Sequence, residues 1–228
     1  MKKAGKLYNL FICAAFLLAF FAIKTSAQET VDKTVATVGD GVRTELITYS
    51  DLLWQLALQP NAPLNPPTSD DLQRALQLII NQRLFALEAQ RLPQATPTGD
   101  ETDAEIKRVL ALFPSTAEFE TRLRAVGFES VKDDNFERMM AQRVAIEKYI
   151  DFRFRSFVVI TPEDEEKYYQ TVFVPEFRRR NPGLLMPTIT EKRSEIREML
   201  TEQKVTGEIQ RFLDEAKDRA EVVVLSEV

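Results

Sequence analysis

The chain has no histidine, one cysteine and seven glycines among its 228 residues. Without histidine there is no Ser-His-Asp or Cys-His catalysis, no imidazole base and no histidine-ligated zinc, which leaves only carboxylate, lysine or tyrosine chemistry. No glycine-rich loop of the phosphate-cradling kind is present either, so no nucleotide site is expected. The cysteine, Cys13, follows Ile12 inside an apolar N-terminal run, and a bulky residue there does not suit lipoprotein attachment. A mature chain lacking that run would carry no thiol and would depend on its core alone; near 200 residues, such a chain buries roughly 70% of the surface it exposes when unfolded. Internal repeats and low-complexity tracts are also missing.

What stands at the N-terminus is an export signal. Lys2, Lys3 and Lys6 precede the apolar residues 11–23, and Thr25, Ser26 and Ala27 offer a small-residue cleavage site. Residues 1–27 are therefore expected to be a signal peptide cut after Ala27, leaving an exported, periplasmic protein. The run is shorter than the roughly 20 apolar residues of a spanning helix; counting Leu7, Tyr8 and Leu10 lengthens it toward an uncleaved anchor. Cleavage removes Lys2, Lys3, Lys6 and Lys24 and no acid from a chain of 30 basic and 35 acidic side chains, so the net charge becomes −9. Such an acidic protein is a poor nucleic-acid binder.

The mature chain reads as mainly helical. Residues 34–38 and 42–47, joined by Gly39, Asp40 and Gly41, suggest a hairpin. Thr48 with Asp51 forms a capping box for a first helix to about Leu58, ahead of the proline-rich residues 60–67. A second helix is expected over residues 69–91, with Leu72, Leu76, Ile79, Ile80, Leu84 and Leu87 on one face, and a third over residues 101–112, ended by Pro114. Ser115 and Glu118 open a fourth, closed by Gly127. A fifth runs over residues 130–156 with the stripe Met139, Ile146, Ile150, Phe154 and Phe157 buried. Thr161 and Pro162 start a sixth that reaches Val174, and Pro175, Pro182, Gly183 and Pro187 make the continuation irregular. The last helix, residues 190–219, carries Ile196, Leu200, Ile209, Phe212, Leu213 and Ala216 inward, and residues 222–225 form a strand. Because a lone strand needs an edge and an amphipathic helix needs a partner, the end of the chain should return to the N-terminal hairpin.

That order of signals resembles SurA-type periplasmic chaperones. The segments VDKTVATVGDGVRTELITYSDL, LQRALQLIINQRLFALEAQRL, FETRLRAVGFESVKDDNFERMMAQRVAIEKYI and ITPEDEEKYY are similar, in the same sequence, to the family's hairpin and first helix, second helix, paired helices and the helix start that leads into a parvulin prolyl isomerase domain. The resemblance implies a multi-helix SurA N-terminal-like (trigger factor/SurA peptide-binding-like) domain, with a small antiparallel sheet joining the N-terminal hairpin to the C-terminal strand. Residues 28–160 plus 190–228 would make this single discontinuous domain, and residues 161–189 a helix and irregular crossover replacing the isomerase domain. The stretch from Thr161 to Thr190 is too short to hold a parvulin domain, and that domain's glycine-rich signatures and histidines have no counterpart, so isomerase activity is not expected. By resemblance, the partners would be unfolded, aromatic-rich outer-membrane protein segments, bound without ATP, nucleotide, metal or other cofactor.

A chaperone of that kind needs an open apolar groove with adaptable side chains and a polar rim. Its candidate peptide-binding residues are Trp54, Phe113, Tyr168, Tyr169, Phe173, Phe177 and Met186, the last of these lying, with Phe173 and Phe177, among prolines. Burial in the core is the competing reading at the helical positions. Met139 and Met140 read as fillers of an irregular core. Arg178, Arg179 and Arg180 could contact anionic lipid or an acidic client, but a triplet at a helix end reads first as solvated charge that complements the helix dipole, and residues 163–166 read as favourable acids in a first helical turn rather than metal ligands. A scaffold binding one folded envelope partner is the alternative; a pull-down returning one stoichiometric protein rather than many clients separates the two.

Overall fold

The computed structural model describes residues 32–226; the expected signal peptide and its Ala27 site lie outside them. The chain from Lys33 onward forms a unit with its own core. Strands β1 (Thr34–Gly39) and β2 (Thr44–Thr48) make the expected hairpin, and β3 (Glu221–Val224) pairs antiparallel with β1, placing β1 in the centre of a sheet ordered β2-β1-β3. The register sets Val38 opposite Val222 and Thr37 opposite Val223, and the Leu225 amide donates to the Val35 carbonyl at 2.9 Å. The two ends of the described chain are thus clasped in one mainly helical fold.

Local signals begin most helices. Helix α1 (Tyr49–Ala57) has the expected capping box, Thr48 with Asp51. Helix α2 (Ser69–Ala89) follows the Thr68 cap. Helix α3 (Gly99–Leu110) starts earlier than residue 101, because Thr98 and Glu101 form a reciprocal cap of their own. Before α4 (Thr116–Ala125), only the Ser115 half of the expected box is made. Past α4, Gly127 has φ +98°, a left-handed conformation that costs glycine little and lets the Phe128 amide reach the Leu123 carbonyl at 3.0 Å.

Helix α5 (Asp134–Arg153) is shorter than the expected 130–156. The Asp133 carboxylate accepts from the amides of Glu129 and Asn135, which makes residue 133 the cap and holds residues 130–132 outside the helix. The buried face is accordingly Phe136, Met140, Val144, Ile146 and Tyr149. Of the expected stripe, Ile146 and Phe154 are buried and Met139 and Ile150 only partly so, while a 3-10 turn (Arg155–Phe157) leaves Phe157 70% exposed.

A second correction concerns Pro175. Helix α6 (Pro162–Tyr168) does not stop before it but passes through a π-helical turn (Tyr169–Phe173) into α7 (Val174–Arg180). In the wider turn the Val174 amide reaches back to Tyr169, and the ring of Pro175 sits in the first turn of the next α-helical stretch, where its missing N–H leaves no bond broken. Only residues 181–187 are irregular. The final helix α8 (Ile189–Arg219) then runs unbroken across the boundary expected at residue 190. Its first half packs on α6, and its second half carries Val205, Leu213 and Ala216 into the main core.

That core joins the inner face of the sheet (Val38, Ile47) to α1, α2, α5 and α8, with Phe85 stacked on Phe212 at 5.0 Å and Tyr149 and Phe154 closing the aromatic cluster. A second core lies among α3, α4 and α5, around the fully buried Phe119 and Phe136. Among the described residues, no helix is long and apolar enough to cross a membrane.

Candidate functional site: a cleft in the helical arm

Residues 161–200 form a helical hairpin, an arm built from α6, the π turn, α7 and the first half of α8. The π turn changes the helical register by one residue, yet Tyr169, Phe173 and Phe177 still follow one another at i+4. Their rings stack at 5.6 and 5.8 Å with interplanar angles of 16° and 26°. Opposite them, Lys192, Glu195, Ile196 and Met199 form one stripe of α8, because positions separated by three, four and seven residues share a helical face.

Between these two surfaces lies an open cleft of about 340 Å³. Its apolar lining is Tyr168, Val172, Phe173, Phe177, Ile196 and Met199; Glu176, Arg180, Lys192 and Glu195 make the rim. The Lys192 ammonium sits 6.0 Å from the centroid of the Phe173 ring, within reach of a weak cation–π attraction. Tyr169 donates its hydroxyl hydrogen to the Pro187 carbonyl at 2.7 Å and so ties the far end of the arm together.

The arm is fixed at its base by charge. Glu165 is buried and ion-paired with both Arg193 and Arg197. Asp164 bonds Lys204 at 2.8 Å, and the same lysine donates to the Val159 carbonyl at 2.9 Å. The Lys204 ammonium, helped by the Thr161 amide, holds the Asp164 carboxyl below its ordinary pKa. Arg155 pairs with Glu202 and Asp151 across the same elbow.

The candidate residues divide in two. Tyr168, Phe173 and Phe177 meet in the cleft, while Tyr169 stacks behind them and Met186 lies half-buried in the connecting loop. Phe113 does not face a groove: it is 7% exposed in the second core, 4.6 Å from Phe119, because the turn after α3 folds it inward. Trp54 packs on Phe128 at 4.8 Å and spends its indole N–H on the Val126 carbonyl at 3.0 Å. One edge of Trp54 borders a separate cleft of about 280 Å³ with Met139 and Arg138, far in sequence from the arm.

Val172, Ile196 and Met199 are not among the candidate residues, although Ile196 and Met199 belong to the α8 stripe visible as 192, 195, 196, 199 spacing, which Val172 faces across the cleft. Met199 is 52% exposed at the cleft mouth, the type of side chain that conforms to varied partners. Among the described residues no cluster of acids or other ligands is arranged to hold a metal ion. No protein-family model matches the chain, and no curated protein matches it.

Proposed function

We propose that this protein is an ATP-independent, non-catalytic chaperone of the bacterial cell envelope, with a SurA N-terminal-like fold, exported to the periplasm by cleavage near Ala27. It shields extended apolar segments of unfolded polypeptides, outer-membrane proteins being the client class. The observation that carries this reading is the arm cleft, where aromatic and methionine side chains remain open to water inside a rim of both charges.

The physics suits transient holding. Each client side chain entering the cleft gains about 25 cal/mol per Å² of apolar area removed from water, and the client loses chain entropy in return. With room for only a few side chains, affinity stays weak and release needs no fuel. The flat faces of Tyr168, Phe173 and Phe177 accept aromatic or aliphatic partners alike.

The test is suppression of aggregation of an unfolded outer-membrane protein by the chain beginning at Gln28. Stoichiometric protein should keep the client soluble, and Phe173→Ser with Phe177→Ser should abolish the effect while leaving the thermal unfolding of the body in place. Failure of the unaltered chain to suppress aggregation would overturn the proposal.

A further inference from the structure

We propose that the tip of the arm docks on anionic phospholipid surfaces. The arginines Arg178, Arg179 and Arg180 end α7, and the turn that follows presents Leu184 and Leu185 to solvent with 66% and 94% of their surface exposed. From residue 177 to residue 189 there is no acidic side chain. Arg180 is paired with Glu176 at 3.1 Å and borders the client cleft, whereas Arg178 and Arg179 are exposed and available to an external anion.

The turn is a defined structure. The Asn181 amide donates to the Phe177 carbonyl at 2.8 Å, the Leu184 amide to the Asn181 carbonyl at 3.3 Å, and Gly183 takes φ +87°, which no larger residue adopts cheaply. The Tyr169 hydroxyl holds the other end at Pro187. Two leucines are thereby fixed outward on a projecting tip beside two unpaired cations. Such a tip encloses nothing, so it is ill suited to wrapping a polypeptide. A lipid interface meets both needs at once: acyl chains receive the leucines, and anionic headgroups meet the guanidinium groups.

Overall charge localises the attraction. The chain beginning at Gln28 carries 26 basic and 35 acidic side chains, net −9, so the molecule as a whole gains nothing from an anionic bilayer and the attraction must come from a local basic cluster such as this one. The absence of acidic side chains from residue 177 to residue 189 leaves that local attraction unopposed along this segment.

The chain beginning at Gln28 contains the whole packed unit and lacks the apolar export segment, which would itself bind lipid. It should sediment with vesicles of equimolar phosphatidylcholine and phosphatidylglycerol but not with phosphatidylcholine alone. Raising salt to about 1 M, where the screening length falls to about 3 Å, should release it. Arg178→Gln with Arg179→Gln should lower partitioning roughly thirtyfold, and Leu184→Ser with Leu185→Ser about tenfold or more, both with an unchanged circular dichroism spectrum. The proposal is overturned if the unaltered chain stays in the supernatant, if neutral vesicles bind it equally, or if either variant binds as before. Binding to polyglutamate, lost in the arginine variant, without binding to vesicles would also overturn it and make the tip an acidic-peptide site.

Discussion

Glu165, one turn into α6, is ion-paired with Arg197 of α8 at 2.8 Å, and its side chain is only 5% exposed while that of Arg197 is 55% exposed. Arg193 approaches the other carboxylate oxygen at 3.1 Å. A buried acid held by two half-exposed arginines makes the pair asymmetric. Losing the acid leaves arginines that water can solvate, whereas losing the arginines leaves a carboxylate with nowhere to go. Arg193→Met with Arg197→Met should therefore destabilise the arm by about 3 kcal/mol, and Glu165→Gln by clearly less. Hydrogen exchange of α6 amides measures both; equal effects would contradict the asymmetry.

Arg122 caps α1 from a distance. Its guanidinium donates to the carbonyls of Leu56, Ala57, Gln59 and Ala62, satisfying the end of one helix and the loop beyond it from the middle of another. Partial burial lowers its pKa from the ordinary arginine value. Arg122→Met keeps the aliphatic stem but strands those carbonyls, and should cost about 2 kcal/mol in urea denaturation.

The two phenylalanine environments should separate cleanly. Phe136 is fully buried against Phe119 and Phe128, so Phe136→Ala should cost about 3–5 kcal/mol. Phe157, on the same stretch of chain, is largely exposed, and Phe157→Ala should change stability by no more than about 0.5 kcal/mol. Urea midpoints of the two variants provide the comparison.

Acid should loosen the elbow of the arm. Because Lys204 and the Thr161 amide lower the Asp164 pKa from its ordinary 3.8, the folded state binds the proton more weakly than the unfolded one. The resulting stabilisation is complete above pH 3.8 and disappears as pH falls through the lower folded value. Limited proteolysis with an acid-active protease should show residues 159–164 becoming susceptible in that range, and Asp164→Asn should bring the same susceptibility to neutral pH.

Removing the last strand tests the clasp. A chain ending at Arg219 loses β3, strips β1 of one neighbour, and forfeits the bond from Leu225 to Val35. Exposing the edge of a buried, valine-rich strand should lower the unfolding midpoint and promote self-association, read by light scattering. Unchanged stability and a monomeric product would show the clasp to be dispensable.

Much of this architecture was readable from short stretches of residues. Thr48 with Asp51, Thr161 with Pro162, and Gly127 act through atoms a few positions away, so their caps form wherever the chain goes next. The apolar rows of α2 and α8 likewise announced which faces turn inward. Other features escaped because their causes lie elsewhere. Pro175 looked like a helix end, and only the π turn before it lets the helix continue. Phe113 looked like a groove residue until α4 was laid against it, and Met139 and Met140 differ in burial because neighbouring helical positions point about 100° apart and only Met140 points fully into the second core. The α8 wall of the arm cleft, Ile196 and Met199, is not legible as a site in the sequence, because only the fold places the aromatic ladder of the preceding helices opposite it.

The sequence by itself determined where helices begin, which faces are apolar, and that the final strand needs a partner, since propensity, capping and periodicity act over one or two turns. Which apolar side chains remain open to water was decided only by the tertiary structure. Exposure depends on what another element of the chain, near in sequence for Phe113 and distant for Phe85 under Phe212, does or does not place on top, and no local pattern encodes that.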